Sequence, residues 1–251
     1  KKRGPDNRNF FYKKNNKLKV CLLHSRLSII DLKKQSNQPF EDGGYIVVFN
    51  GEIYNYLELK KKLQNLGYNF KTLSDTEVLL KSYIHYGEKC VNYFNGMWAF
   101  VILDKKKGSL FASRDRFGEK PLYYGMVNHS LVYGSELKPF KKFPHFKNKV
   151  SRRSLREFLK YNYVPTPLSI YQDIFKIEAG SFAQFKLQDK KIKQISYEKY
   201  WSLEEVILSC KENSYSNESN AIKDLEEQLI QSIKLQMQSD HSLYLLIFQY
   251  L

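Results

Sequence analysis

The chain has 251 residues, of which 42% are hydrophobic, and a formal net charge of +15. That length supports one sizeable core and part of a second, and no apolar run is long enough to span a bilayer. Cysteines at positions 21, 90 and 210 are too few and too scattered to predict a disulfide framework or a zinc site. We therefore expect a reduced, cytoplasmic setting, no metal site and no membrane partner.

The positive charge comes mostly from lysine. Only eight of the 41 basic residues are arginine, and the lysines are spread along the whole chain. Arginine is the side chain that grips phosphates and bases with two parallel hydrogen bonds. The composition therefore favours a solvated lysine-rich surface over a nucleic-acid partner.

The first part of the chain alternates strands and helices. Apolar runs predict strands over residues 19–23 and 45–49. A helix is expected over 55–66 with Asn55 as its cap. A second helix is expected over 74–87, where Ser74 is followed three residues later by Glu77 in the pattern of a capping box.

The rest of the chain changes character twice. An antiparallel meander of strands is predicted over residues 97–103, 110–113, 121–126 and 131–133. A helix over 151–160, a hairpin over 182–185 and 191–195, a linker over 209–220 and an amphipathic helix over 220–238 follow. The apolar stripe of that last helix is expected to be core or to face a partner domain, and consists of Ile222, Leu225, Leu229, Ile233 and Met237.

Asn50-Gly51 ends the apolar run over 45–49, and the acidic residue Glu52 follows at once. A two-residue hairpin would need a second alternating strand directly afterwards. Helical spacing follows instead, so we expect the pair at a strand end that leads toward a helix. Spacing alone leaves both a turn and a binding site open.

Three other stretches combine charge with unusual placement. Arg26 follows a strand among small and apolar neighbours, Asp75 stands at a helix start, and residues 114–124 form a dense charged loop. Each has a plain structural interpretation: an ion pair of Arg26 with Asp31, a helix cap, and a salt-bridged turn, respectively.

In this order and spacing, the chain resembles the glutamine-hydrolysing asparagine synthetases. The segments that carry the resemblance are Arg3-Gly4-Pro5-Asp6, Arg26-Leu27-Ser28-Ile29, Asn50-Gly51-Glu52-Ile53-Tyr54-Asn55, Ser74-Asp75-Thr76-Glu77 and the stretch 114–124. It continues through Tyr163-Val164-Pro165 and Tyr200-Trp201 to about Asp240. The family has an N-terminal glutaminase domain of the class II amidotransferase type, a member of the N-terminal-nucleophile hydrolases.

The resemblance implies an α+β fold, a four-layer αββα sandwich of antiparallel sheets, followed by the first helix of a truncated α/β synthetase domain. Residues 1–200 would form the glutaminase domain without its N-terminal strand and nucleophile. Residues 201–251 would form a linker and the start of the synthetase domain. No cofactor is expected on the glutaminase part, whereas ATP, magnesium and aspartate would belong to the complete enzyme.

The resemblance also implies roles in binding glutamine. Arg26 would pair with the α-carboxylate through two parallel hydrogen bonds. Asp75 would take the α-ammonium, helped by the backbone around Glu52. Asn50 and Gly51 would form the oxyanion hole, glycine being needed for close approach of the substrate. The remaining residues of the expected glutamine site are Leu27, Ser28, Ile29 and Ile30.

Both ends depart from the family pattern. Lys1 is not an initiator methionine, and the nucleophilic N-terminal cysteine of the family has no counterpart; Cys21 is interpreted as a buried structural thiol. Residues 241–251 do not match the family's pyrophosphate-binding loop, which indicates a frameshift or a truncated reading frame. We therefore expect no glutamine hydrolysis by this chain.

Three functions stay open at this point. The first is the glutaminase part of an enzyme that converts aspartate, glutamine and ATP to asparagine, glutamate, AMP and pyrophosphate. The second is a non-catalytic module that binds glutamine or pairs with a synthetase subunit. The third is an amidotransferase for another acceptor, disfavoured because residues 24–29 read His-Ser-Arg-Leu-Ser-Ile rather than a Thr-Arg-Trp-Ala-Thr type of segment. A homodimer is compatible with each.

Overall fold

A computed structural model describes residues 4–14, 19–188, 191–210 and 215–239. The strands in these ranges are Asn7–Lys14 (β1), Lys19–Arg26 (β2), Phe40–Asp42 (β3), Tyr45–Ile53 (β4), Gly96–Asp104 (β5), Ser109–Arg114 (β6), Tyr123–Val127 (β7), Ser130–Gly134 (β8), Ile174–Lys176 (β9), Ser181–Gln188 (β10) and Lys191–Lys199 (β11). The helices are Tyr56–Asn65 (α1), Asp75–Tyr86 (α2), Arg152–Tyr161 (α3), Leu203–Cys210 (α4) and Glu218–Gln236 (α5).

The strands form three antiparallel sheets. The largest has six strands in the order β11-β10-β6-β5-β4-β3, the second has the order β8-β7-β9, and the third is the β1-β2 hairpin. One face of the large sheet packs against α1 and α2. The other face packs against the two smaller sheets. The expected α+β sandwich of antiparallel sheets is therefore confirmed.

The position of β5 between two cores explains why its sequence is largely apolar. Phe100 and Ile102 belong to the core beneath the helices, whereas Val101 and Leu103 belong to the core between the sheets. Side chains alternate between the two faces of a strand, so a strand covered on both faces has no polar position. Burying each large side chain contributes about 2–3 kcal/mol.

The predicted meander is confirmed between β5 and β6 and between β7 and β8, but it is wrong between β6 and β7. Strand β6 pairs with β5 and β10, whereas β7 pairs with β8 and β9 in a different sheet. The chain changes sheets between Arg114 and Tyr123. Short turns predict that successive strands are neighbours, but β10, from far along the chain, takes the place beside β6.

The helix caps are confirmed in part. Ser74 caps α2 by accepting a hydrogen bond from the Thr76 amide, and Ser151 caps α3 by accepting from the Ser154 amide. Asn55 does not cap α1. Its side chain instead joins the Tyr93 carbonyl, at 3.0 Å, to the Asn95 amide, at 2.9 Å.

One prediction about burial is wrong, and one of two open alternatives is excluded. Cys21 is exposed rather than buried, because it lies on the uncovered face of β2. The apolar stripe of α5 is exposed too, so it is not part of the core of the described residues. Its alternative interpretation, a face for a partner domain, stays a prediction.

Several expected features fall in other parts of the chain. Arg3, Asp240 and residues 241–251 lie outside the described residues, as do 211–214 of the expected linker. The start of that linker is helical, since α4 extends to Cys210. No helix in the described ranges is long and apolar enough to cross a membrane.

Candidate functional site

Asn50-Gly51 lies inside β4 rather than at the end of a strand. The strand continues to Ile53, and Asn50 and Gly51 stand opposite Ala99 and Trp98 of β5. The local pattern predicted an end because asparagine and glycine are common in turns. Pairing with β5 overrides that preference, which is a tertiary effect.

The amide of Gly51 points away from β5. The backbone groups of Trp98, the residue opposite Gly51, point away from β4. Its N–H donates to Asp115 Oδ2 at 3.2 Å, and its carbonyl accepts from the Asp115 amide at 2.9 Å. Gly51 and Trp98 therefore form a non-hydrogen-bonded pair of the ladder. The N–H of Gly51 consequently faces the outer edge of β4.

The neighbours of Gly51 on that edge are anchored. The Phe49 amide donates to Gln38 Oε1 at 2.6 Å, and the Ile53 amide donates to Asp75 Oδ2 at 3.1 Å. Residues two apart in a strand direct their backbone groups to the same side. The Gly51 N–H is thus held between two fixed positions, as a preorganised donor requires.

Gly51 is required by its own fold. A Cβ at this position would stand 2.0 Å from the Met97 carbonyl oxygen, and φ is +151°. The backbone of β5 by itself excludes a side chain here, and the expectation that glycine also serves close approach of a substrate stays a prediction. The neighbouring Asn50 side chain is partly buried, with Nδ2 3.5 Å from Ser135 Oγ, so it is only weakly held.

Gly51→Ala is expected to lower the free energy of unfolding by about 2–3 kcal/mol, because φ strain and a backbone clash add. Gly67→Ala is the matched control, since φ there is +90° and nothing lies within 4 Å of an added Cβ. It should cost about 1 kcal/mol. Urea denaturation of both variants measures the difference, and equal losses would contradict the clash.

Arg26 is buried and its terminal nitrogens are engaged. Its Nη1 donates to Lys33 O at 3.2 Å and to Asn37 Oδ1 at 3.0 Å. Its Nη2 donates to Ile30 O at 3.0 Å and to Asp31 O at 2.5 Å. A guanidinium carries two hydrogens on each of these nitrogens. The two-bond geometry expected for Arg26 on a carboxylate is therefore not open in this structure. What remains is its charge, held beside the segment 27–30.

That segment forms a partly exposed loop. Leu27 is 63% and Ile29 38% exposed, whereas Ile30 is buried. The Ser28 amide donates to Asp6 Oδ2 at 2.7 Å, which ties the loop to the motif that precedes β1. The plain interpretation of Arg26 is wrong about its place, because Arg26 and Asp31 are both buried rather than at the surface, but their opposite charges do interact.

Glu52 and Asp75 form a buried pair of carboxylates. Glu52 is 7% and Asp75 6% exposed. Asp75 accepts from the Ile53 amide and from Ser74 Oγ, at 3.1 and 3.3 Å, whereas Oε1 of Glu52 is buried without a partner among the described residues. A buried carboxylate oxygen without a partner is costly. The pair is suited to receive a cation with several hydrogens.

The protonation of this pair is tuned by burial. Burial, with the charge of Asp75, raises the pKa of Glu52 to about 7, against the opposing charge of Lys120. Burial also raises the pKa of Asp75 to about 6, against hydrogen bonds from Ile53, Ser74 and Thr76 and the charge of Arg26. Sequence reasoning named only the backbone at Glu52; its side chain was missed, although an acid directly after Asn-Gly was the available signal.

His24 joins β2 to β4 and was also missed. Its Nε2 donates to the Phe49 carbonyl at 3.1 Å, and its Nδ1 is buried without a partner in the described ranges. Burial chiefly, with the charge of Arg26, lowers the pKa of His24 against the bond to Phe49. The imidazole is thus neutral and holds the residue before Asn50. No sequence signal separated it from an ordinary strand histidine.

The charged loop over 114–124 is built on backbone contacts rather than on salt bridges. Oδ1 and Oδ2 of Asp115 accept from the amides of Trp98, Phe117, Glu119 and Lys120 at 2.9–3.2 Å. Arg114 donates to the carbonyls of Lys120 and Ile177, both at 2.8 Å. The salt-bridged turn is therefore wrong, and the loop holds the strand opposite Gly51.

The sequence profile of the glutamine amidotransferase domain family matches residues 1–201. The chain therefore belongs to this family. A relative from Bacillus subtilis (strain 168), named asparagine synthetase [glutamine-hydrolyzing] 1, is 34% identical over 95% of this chain and 35% of its own length. Another from the same organism, asparagine synthetase [glutamine-hydrolyzing] 2, is 36% identical over 95% of this chain and 32% of its own. The chain spans about a third of the length of these two relatives.

A solved structure supports the fold. The glutamine phosphoribosylpyrophosphate amidotransferase of B. subtilis, complexed with ADP and GMP, matches with a TM-score of 0.50 at 21% identity, over 72% of this chain and 35% of the other. The likeness supports the fold alone, an α+β sandwich of antiparallel sheets as the sequence motifs led us to expect.

Proposed function

We propose that this chain binds glutamine as the glutaminase part of a glutamine-dependent asparagine synthetase. Residues 1–200 form that part, and residues 201–251 lead into a synthetase domain that uses aspartate, ATP and magnesium. The names of the relatives and the extent of the family match, 1–201, support this assignment. The observation that carries it is the buried Glu52–Asp75 pair, with its unpartnered oxygen, beside the outward-facing amide of Gly51.

Each end of glutamine meets a suitable group. The α-ammonium fits between Glu52 and Asp75, because it offers three hydrogens and a positive charge to two buried acceptors. The side-chain carbonyl is directed at the Gly51 N–H and the Asn50 amide, which would hold the negative charge of a tetrahedral intermediate. The α-carboxylate lies toward the charge of Arg26 and the segment 27–30, in which the Ser28 amide is already bonded to Asp6.

Cys21, Cys90 and Cys210 do not suit the role of nucleophile, and Cys210 lies in α4, outside the family match over residues 1–201. Cys21 points to the opposite face of β2 from Leu22 and Arg26, which are buried. Cys90 is fully buried, and burial raises its thiol pKa far above the usual range, so thiolate is scarce. We therefore propose binding of glutamine by this chain, without turnover.

Titration of the 251-residue chain with glutamine tests the proposal, followed by calorimetry and by amide NMR shifts. Glutamine is expected to perturb Gly51, Glu52 and Asp75, and asparagine, one methylene shorter, should bind more weakly. Asp75→Asn should weaken binding by about tenfold or more, because it removes a charge partner of the ammonium. Glu58→Gln is the control, since Glu58 is exposed and pairs only with Lys62 in the same helix.

Absence of any glutamine-dependent shift in the unmodified chain would remove the proposal. An equal response to Asp75→Asn and Glu58→Gln would remove the assigned site while leaving glutamine binding in place.

A second candidate function is pairing with a synthetase subunit. The exposed apolar side chains of α5 favour it, because such a stripe is stable only when covered. This function does not compete with glutamine binding, since α5 lies outside the family match over 1–201. The cytoplasmic location, a homodimer and an acceptor other than aspartate stay predictions.

A further inference from the structure

Asp31 is a buried aspartate to which the proposed function assigns no role. It is 2% exposed and has a φ of +51°, a left-handed conformation that is rare for residues other than glycine. Such strain persists only where surrounding contacts hold the residue in place.

The contacts of Asp31 reach both halves of the amino-acid site. Its carbonyl accepts from Nη2 of Arg26 at 2.5 Å. Its Oδ2 accepts from the Leu73 amide at 2.8 Å, across 42 residues of sequence, and Leu73 stands two residues before Asp75. Asp31 therefore contacts both Arg26, whose charge faces the α-carboxylate of the ligand, and the segment that carries Asp75, which faces the α-ammonium.

The Asp31 carboxylate is otherwise saturated. Oδ1 accepts from the Lys33 amide at 3.1 Å, and Oδ2 also accepts from Ser36 Oγ at 2.5 Å. Burial by itself would raise the pKa of Asp31, but these hydrogen bonds, that of Leu73 and the charge of Arg26 hold it below its usual range. The group stays ionised at neutral pH, and its bonds to Leu73 and Ser36 are charge-assisted.

Other hydrogen bonds that join the segment after Arg26 to the segment around Asp75 are weaker. Gln35 Nε2 donates to the Lys71 carbonyl at 3.0 Å on an exposed surface, and Gln38 Nε2 donates to Thr76 Oγ1 at 3.3 Å. Neutral hydrogen bonds are about half as strong as charge-assisted ones. Asp31 is thus the strongest of these links between the two segments.

We propose that Asp31 is a positioning residue that sets the spacing between the carboxylate-binding and ammonium-binding halves of the site. This inference rests on the proposed function. It makes a specific demand: Asp31 matters for a ligand that must satisfy both ends at once, and matters little for a ligand that has only one end.

The test compares three ligands on the 251-residue chain. Glutamine has both charged groups, its deaminated analogue glutaramate lacks the ammonium, and its decarboxylated analogue 4-aminobutanamide lacks the carboxylate. Asp31→Asn is the variant of choice, because asparagine tolerates a positive φ and keeps the main-chain bond to Arg26. Affinities are measured by amide NMR titration, with Gln35→Ala as the matched control.

Asp31→Asn is expected to weaken glutamine by about tenfold, since small misplacements of a binding group have large effects, and to weaken each one-ended ligand by less than about threefold. Ser36→Ala should give the same pattern with a smaller loss, and Gln35→Ala should leave all three affinities unchanged. A loss of stability would lower the affinities for all three ligands by the same factor. A positioning role instead lowers the affinity for glutamine, which has two charged ends, more than that for either one-ended ligand.

The inference is overturned if Asp31→Asn weakens all three ligands equally, or leaves glutamine affinity unchanged. It is also overturned if the unmodified chain binds the one-ended ligands as tightly as glutamine. Failure of the unmodified chain to bind any of the three removes the proposed function, and this inference with it.

Discussion

Asp115→Ala is expected to lower the free energy of unfolding by about 3–4 kcal/mol. The Asp115 carboxylate is fully buried and accepts four backbone amides, those of Trp98, Phe117, Glu119 and Lys120. Alanine would leave these donors buried without acceptors, and each such group costs about 1–3 kcal/mol before relaxation. Urea denaturation followed by tryptophan fluorescence measures the loss.

Asp115→Asn should lie between the wild type and alanine. The amide oxygen can still receive two of the donors, but its NH₂ group would face the other two amides. Glu119→Ala is the control, because Glu119 enters this network only through its backbone. A loss at Asp115→Ala no larger than that at Glu119→Ala would contradict the role of Asp115 as the centre of the loop. Because Asp115 also holds Trp98, opposite Gly51, glutamine binding should weaken together with stability.

Glu52→Gln is expected to stabilise the ligand-free chain at pH 8 and to weaken glutamine binding at the same pH. Burial, with the charge of Asp75, raises the pKa of Glu52 from 4.5 to about 7. Below pH 4.5 this carboxyl is protonated in both the folded and the unfolded chain, so the free energy of unfolding has its full value. That free energy falls as the pH rises through about 7, because the carboxyl ionises more readily in the unfolded chain. Glutamine at position 52 does not titrate, so the variant keeps that stability.

The free energy of unfolding of Glu52→Gln should therefore differ little from that of the wild type at pH 4. At pH 8 it should be higher by about 1–2 kcal/mol, after allowance for solvent screening of the partly accessible site. Affinity for glutamine should change in the opposite direction, by about tenfold or more, because the ammonium loses an ionised partner. Denaturation and calorimetry at the two pH values measure both effects.

Comparison with Glu58→Gln removes general effects of lost charge, because Glu58 is exposed on α1. A stability difference that does not depend on pH would contradict the raised pKa of Glu52. Unchanged glutamine affinity at pH 8 would contradict its contact with the ammonium. The same residue thus costs stability and supports binding, which is common at binding sites.

Local signals were sufficient for much of the secondary structure. Ser74 caps a helix as expected, the helix expected to start near Ser151 forms, and the last hairpin forms between β10 and β11. These features depend on neighbours within a few residues, so their physics is present in any short stretch of sequence. Asn55 is the exception among the caps, because a long-range partner, the loop at Tyr93 and Asn95, claims its side chain.

The site was predicted in part by the order of its motifs. Those motifs placed Arg26, Asn50, Gly51 and Asp75 in one group, and the structure brings the segments that carry them together around the outer edge of β4. What each residue does there was not readable. The Nη groups of Arg26 are taken by its own loop, and glycine at 51 is imposed by Met97 of the neighbouring strand.

By itself, the sequence determined many of the helices and strands, the class of fold and the family, because caps, apolar periods and the spacing of motifs are local or ordered along one dimension. Only the tertiary structure decided that β6 and β7 lie in different sheets and that Gly51 turns its amide to the outer edge of β4. It alone showed that the Glu52 side chain is buried beside Asp75, that His24 bonds to Phe49 and that Asp31 bonds to Leu73. Burial, an unpartnered oxygen and a bond across 42 residues arise when distant segments pack, and no local pattern encodes them.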